Sequence, residues 1–185
     1  MDLEDTFHHL TPEEKSFFQR MQNYLHTKVY FYGSVNRQDY FRGKSDIDVD
    51  IFTRNMESTL SRLQHFLNVS STQFRKTYRL LDSKHIAGYK VYYVSTNALD
   101  EPQFSVEISI FQEKDKEYVL KEHRSKSILP FHAVIMLVVL KFFYYDLHLL
   151  PRDTYKRYKN SILSDWIGRK ETPFSAIKNS NRHIH

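Results

Sequence analysis

The run Asp46–Phe52, DIDVDIF, sets three carboxylates in strict alternation with Ile47, Val49 and Ile51. A period of two is the signature of a strand with one buried face, yet acidic residues are poor strand formers. Residues two apart on a strand share a face at intervals of about 6.6 Å. The β-branched half therefore enters a core, and the other face is lined by Asp46, Asp48 and Asp50. Three like charges in a row repel. An oxygen-rich cluster of this kind suits hard divalent cations such as Mg2+, which offset the repulsion; a solvated polar face is the alternative.

Such a strand needs neighbours to complete its sheet and a layer to cover its apolar side. Phe104–Phe111, FSVEISIF, alternates in the same way, with Ser105, Glu107 and Ser109 opposite Phe104, Val106, Ile108 and Ile110. Val29–Tyr32 predicts a short strand ahead of Gly33, and Phe74–Leu81 with Tyr89–Val94 predicts two more around a turn region containing Gly88. Helical spacing follows Thr11, Pro12 and Glu14 in Phe17, Phe18, Met21, Tyr24 and Leu25, and follows the capping residue Asn55 in Leu60, Leu63 and Leu67. From Lys114 onward the pattern is helical: Lys114–His123, Pro130–Leu150, then Pro151–Ile167 closed by Gly168. The expected fold is α+β. A mixed β-sheet flanked by helices occupies residues 1–127, a helical C-terminal extension 128–172, and a loose tail 173–185.

Composition narrows the chemistry. With 185 residues the chain can bury a full core, and with no cysteine it has neither thiolate metal sites nor thiol nucleophiles. Its ten histidines show no metal-binding spacing. The acidic, polar start MDLEDTFHHL lacks the features of a signal peptide, so an intracellular, cytoplasmic location is expected. The most apolar run, Ile128–Leu140, has 13 residues interrupted by His132, short of the ~20 that a membrane span needs. The net charge of +5 is uneven: Lys and Arg number 15 against 17 Asp and Glu through Leu120, but 12 against 5 from Lys121 onward. The C-terminal third is the part suited to a polyanion.

Two features near the aspartates point to phosphate chemistry. Gly33 and Ser34 break a strand and offer backbone N–H groups and a hydroxyl to a phosphate, with no Cβ at the glycine to hold the ligand away. Glu107, on the polar side of a separate strand, adds a third carboxylate. Such a trio fits a two-metal site, with ions about 3.5 to 4 Å apart, for in-line attack on phosphorus. Glu107 is also suited to accept the proton of an acceptor hydroxyl.

Tyr32-Gly33-Ser34, eleven further residues, Asp46-Ile47-Asp48-Val49 and a distant strand carboxylate together resemble the signature of the nucleotidyltransferase superfamily. That superfamily includes DNA polymerase beta, poly(A) and terminal uridylyl polymerases, oligoadenylate synthases and minimal nucleotidyltransferase antitoxins. The resemblance spans about Val29 to Phe111. It implies that Gly33 and Ser34 hold the β- and γ-phosphates of an NTP, and that Asp46, Asp48 and Glu107 are the catalytic carboxylates that bind two Mg2+ (or Mn2+) ions. Some members carry a glycine soon after Gly-Ser, where this chain has Val35, Asn36, Arg37 and Gln38. The apolar helix that carries Lys141 resembles one in poly(A) and uridylyl polymerases, whose lysine reaches the triphosphate; a lone lysine on a core helix otherwise snorkels to solvent. The implied activity is transfer of a nucleotidyl group from an NTP to an acceptor hydroxyl with release of pyrophosphate. The alternative is a catalytically weak nucleotide-binding or antitoxin-like protein on the same fold.

A calcium loop competes for the same residues. Asp46, Asp48, Asp50 and Glu57 take positions 1, 3, 5 and 12 of an EF-hand, but position 6 is Ile51 in place of glycine and β-branched residues separate the aspartates. In the last helix Arg152, Lys156 and Lys159 form one basic stripe, suited to a nucleic-acid backbone or to a solvated helix face, while Tyr155, Tyr158, Ile162 and Trp166 face elsewhere to pack. A nucleic-acid acceptor is thus an expected partner, and a membrane is not.

Overall fold

A computed structural model describes residues 8–97, 99–127 and 129–167; Gly168 and the expected tail lie outside them. The first helix, α1 (Pro12–Leu25), starts at a reciprocal cap: the Thr11 hydroxyl accepts from the Glu14 N–H, and the Glu14 carboxylate accepts from the Thr11 N–H at 2.7 Å. It leads into β1 (Val29–Tyr32), a 3-10 turn (Gly33–Asn36), a loop and β2 (Ile47–Thr53). Asn55 then caps α2 (Met56–Leu67), accepting the Ser58 N–H at 3.0 Å. The chain continues through β3 (Arg75–Leu81), β4 (Lys84–Thr96) and β5 (Pro102–Gln112) to α3 (Lys116–Ser127), α4 (Phe131–Tyr145) and α5 (Arg152–Ile167).

The sheet order is β1-β2-β5-β4-β3, with β2 and β5 parallel and the other neighbours antiparallel. This is the expected α+β fold, a mixed sheet with flanking helices. Its apolar face, built from Ile47, Val49 and Ile51 of β2 and Val106, Ile108 and Ile110 of β5, is buried against Phe17, Phe18 and Met21 of α1 and Leu63 of α2. On the opposite face, Phe52, Ile86 and Phe111 pack under Val119 of α3, and the acidic row lies beside them. Helices α4 and α5 pack on each other through Ala133, Leu137 and Ile162. Among the described residues, no helix is long and apolar enough to cross a membrane.

Two local expectations differ from the structure. The β3–β4 turn lies at Asp82 and Ser83, with φ of 46° and 65°, as a tight hairpin of the primed type requires. Gly88 sits inside β4, because a Cβ there would come within 2.5 Å of the Ile110 carbonyl oxygen and 2.6 Å of the Phe111 ring. Helix α4 ends at Tyr145, short of the expected Leu150; Asp146 follows as its cap and is engaged by Lys44 at 2.5 Å.

Candidate active site

Strand pairing assembles the site. Tyr32 of β1 registers with Asp48 of β2, Asp48 with Glu107 of β5, and Glu107 with Tyr92 of β4. Registered residues share a face, so these four form one row across the sheet, on neighbouring strands about 4.8 Å apart. The next row holds Tyr30, Asp50, Ser109 and Lys90. Asp46 precedes β2 on the same side and accepts hydrogen bonds from the hydroxyls of Ser105 and, at 3.2 Å, Tyr92.

Like charges dominate the centre of the row. Burial, then the charges of Glu107 and Asp46, push the Asp48 carboxyl up to about 7, against the opposing pull of Lys159 and Lys90. Gly33 adopts φ 75°, and a Cβ at that position would overlap the Asp48 carboxylate. Glycine therefore brings the turn's backbone directly against Asp48, with the buried Ser34 next in the chain. The Ser34 carbonyl accepts the Arg37 N–H at 2.9 Å and closes the turn.

Asp46, Asp48, Glu107, Gly33 and Ser34 are thus brought together on one side of the sheet. Their donor types are those a divalent cation takes: three hard-oxygen carboxylates on one face, one of them kept protonated up to about pH 7 by burial and then by the charges of the other two. The side chains are nevertheless drawn apart. Lys90 donates to Glu107 at 2.7 Å, Ser105 and Tyr92 hold Asp46, and among the described residues no three ligating side chains converge on one ion position. The calcium-loop alternative fails, since Ile47–Thr53 is a paired strand and Glu57 lies in the first turn of α2.

Lys141 occupies a different place. It is only 1% exposed, which excludes snorkelling. Its ammonium donates to the Asp39 carbonyl at 2.6 Å and the Ser45 hydroxyl at 3.3 Å, and pairs with the Asp39 carboxylate at 3.1 Å. Burial lowers its pKa to about 8, against the pull of Asp39. Burial also opposes the Asp39 charge, but Arg37 at 2.7 Å and Lys141 outweigh it and hold that carboxyl below its ordinary value. The lysine ties α4 to the loop between the glycine turn and Asp46.

The basic stripe of α5 is divided. Arg152 acts electrostatically on Tyr92, and Lys159 on both Asp48 and Lys141, while Lys156 is exposed. Tyr155 is buried and stacks on Tyr144 at 4.2 Å between ring centroids; Tyr158 is exposed, and the side chain of Trp166 lies outside the described residues. Sequence reasoning did not single out Lys90, Tyr92, Ser105 or His123. The alternation of β4 puts Lys90 and Tyr92 on one face, but only the β4–β5 register reveals that this face carries Glu107. The unassigned Asp50 proves to be fully buried and 2.6 Å from Nε2 of His123, whose ring stacks on Tyr32 at 3.9 Å.

Among the solved structures that resemble the chain are two of low identity. A cytoplasmic RNA terminal U-transferase shares 11% identity at a TM-score of 0.44, over 85% of this chain and 51% of that one. Cid1, described for its RNA terminal uridylyl transferase activity, shares 10% at a TM-score of 0.37, over 77% of this chain and 44% of that one. The chain thus spans about half the length of each. No curated protein matches it. The family model for the nucleotidyltransferase domain matches residues 14–162. Because that match runs from α1 into α5, it takes in both strands of the acidic row and the helices around it, and the chain belongs to the nucleotidyltransferase domain family.

Proposed function

We propose that the protein is a metal-dependent nucleotidyltransferase that moves a nucleotidyl group from an NTP to an acceptor hydroxyl and releases pyrophosphate. The observation that carries this reading is the register of Asp48 with Glu107 across parallel β2 and β5, with the Gly33 backbone against Asp48. Asp46, Asp48 and Glu107 would hold Mg2+ or Mn2+, which supplies Lewis-acid stabilisation of charge on phosphoryl oxygens when bound. Gly33 and Ser34 receive the β- and γ-phosphates on backbone N–H groups. Lys141 acts on the triphosphate end of the site by fixing the loop through Asp39 and Ser45. The acceptor oxygen forms a bond to the α-phosphorus as the bond to pyrophosphate breaks, and Glu107 takes the hydroxyl proton.

In this proposal residues 1–127 are the catalytic core, 128–172 are the helical extension, and the protein works in the cytoplasm. The acceptor is a nucleic-acid strand met by the basic C-terminal helices. If so, replacing Arg152, Lys156 and Lys159 with glutamine flattens the salt dependence of oligonucleotide binding, by a log-log slope of about 0.7 per lost phosphate contact on a single strand. An unchanged slope would leave the stripe as a solvated face.

The defining experiment incubates the protein with each labelled NTP and Mg2+ or Mn2+, with and without single-stranded RNA, DNA and protein acceptors. Labelled acceptor together with pyrophosphate is the expected outcome. Nucleotide binding without transfer to any acceptor would favour the second reading, a catalytically weak nucleotide-binding protein on this fold. The Lys90–Glu107 pair is the observation that favours it.

A further inference from the structure

We infer that Lys90 is a resident counter-ion that competes with a divalent cation for Glu107 and so latches the acidic row; the inference rests on the metal-binding reading of that row. The Lys90 ammonium lies 2.7 Å from Oε1 of Glu107. It reaches there from β4, where Lys90 registers with Ser109, one row beyond Glu107 on the same face. Both side chains are partly covered, at 25% and 32% exposure, so the pair is shielded more than an ion pair on an open surface.

An ammonium and a divalent ion seek the same oxygen. While Glu107 accepts from Lys90, and Asp46 accepts from Ser105 and Tyr92, two of the three carboxylates are turned to partners within the protein. Entry of a metal therefore requires Glu107 to exchange one cation for another. Lysine suits this exchange, being a compact charge on a flexible stem with three rotatable donors. The metal consequently binds more weakly than it would at a Glu107 without the lysine.

The test is titration with Mn2+ alone, free ion being read by electron paramagnetic resonance, for the parent, Lys90→Met, Lys90→Arg, Glu107→Gln and the double variant Lys90→Met/Glu107→Gln. Lys90→Met is expected to tighten Mn2+ binding by about five-fold, the scale of a partly shielded ion pair. Lys90→Arg, which keeps the positive charge, should show no such gain, and the gain of Lys90→Met should disappear in the Glu107→Gln background, where the competition no longer exists. An unchanged or weaker Mn2+ affinity in Lys90→Met, no binding by either protein, or a gain that survives Glu107→Gln each overturns the latch. A parent that transfers nucleotides while Lys90→Met gains nothing sinks the latch alone. A parent inactive toward every NTP and acceptor, with Lys90→Met gaining Mn2+ affinity, keeps the latch and sinks the transferase reading.

Discussion

Asp48 and Asp50 stand two residues apart on the same face of β2, one beside Glu107 and the other beside Ser109. Over Asp50 the sheet is closed by α3: His123 reaches the carboxylate at 2.6 Å, its ring lies on Tyr32, and the adjacent Glu122 pairs with Arg79 of β3 at 3.4 Å. Around Asp48 the close company is acidic, and its carboxyl rises to about 7 through burial and the charges of Glu107 and Asp46. Alternation along the strand decides only which face a side chain joins. What covers that face decides whether a carboxylate becomes part of the framework or remains available for chemistry, because a buried charge is tolerated where it is paired and hydrogen-bonded.

The comparison breaks first on turnover. Asp48→Asn is expected to lower nucleotide transfer by at least ~10²-fold with the circular-dichroism spectrum unchanged, whereas Asp50→Asn keeps most of the activity. Equal losses would erase the distinction. Stability should show the reverse: Asp50→Ala leaves His123 without that carboxylate and costs about 1–3 kcal/mol in urea unfolding, well beyond any loss from Asp48→Ala.

A pH series of melting temperatures sharpens the same contrast. Because the folded Asp48 carboxyl is raised above its ordinary value of 3.8, the metal-free native state keeps a proton that the unfolded chain releases. That stabilisation is complete below about pH 4 and is lost as pH rises through about 7. The Tm of Asp48→Asn should therefore match the parent near pH 4 and exceed it by pH 8; a gap that stays constant with pH would remove the assigned cause. The smallest effect separates backbone strain from contact. Gly33 and Gly43 have similar φ, 75° and 70°, but an added Cβ meets Asp48 at the first and nothing within 4 Å at the second. Gly43→Ala should cost about 1 kcal/mol from conformation alone, and Gly33→Ala more, with a raised KM for NTP. Identical costs and an unmoved KM would dissociate the turn from the carboxylate.

The sheet and its polar face were legible because they are written locally. Asp46, Asp48 and Asp50 alternate with branched residues, Thr11 and Asn55 announce helix starts, and Gly33 requires a backbone that side chains rarely adopt. The hairpin is not legible in the same way: Gly88 reads as a turn residue but answers to a ring from another strand, while Asp82-Ser83 makes the turn without glycine. Lys141 was hidden for a related reason. Its partners, Asp39 and Ser45, lie about a hundred positions earlier in a loop whose path no local period encodes. Lys90 and His123 likewise acquire meaning only from the register of β4 with β5 and the docking of α3.

The parallel pairing of β2 with β5 also has a kinetic consequence. Parallel neighbours cannot be joined by a tight turn, and here α2, β3 and β4 are all synthesised between Asp48 and Glu107. Contacts of such long range form slowly. A nascent chain that has emerged only through β4 carries the glycine turn and Asp46 and Asp48, yet it lacks Glu107, and the apolar β2 is open along the edge that β5 will cover. Docking of β5 is thus a single event that closes an aggregation-prone edge and completes the acidic row, so the three carboxylates are not assembled while that edge stays open.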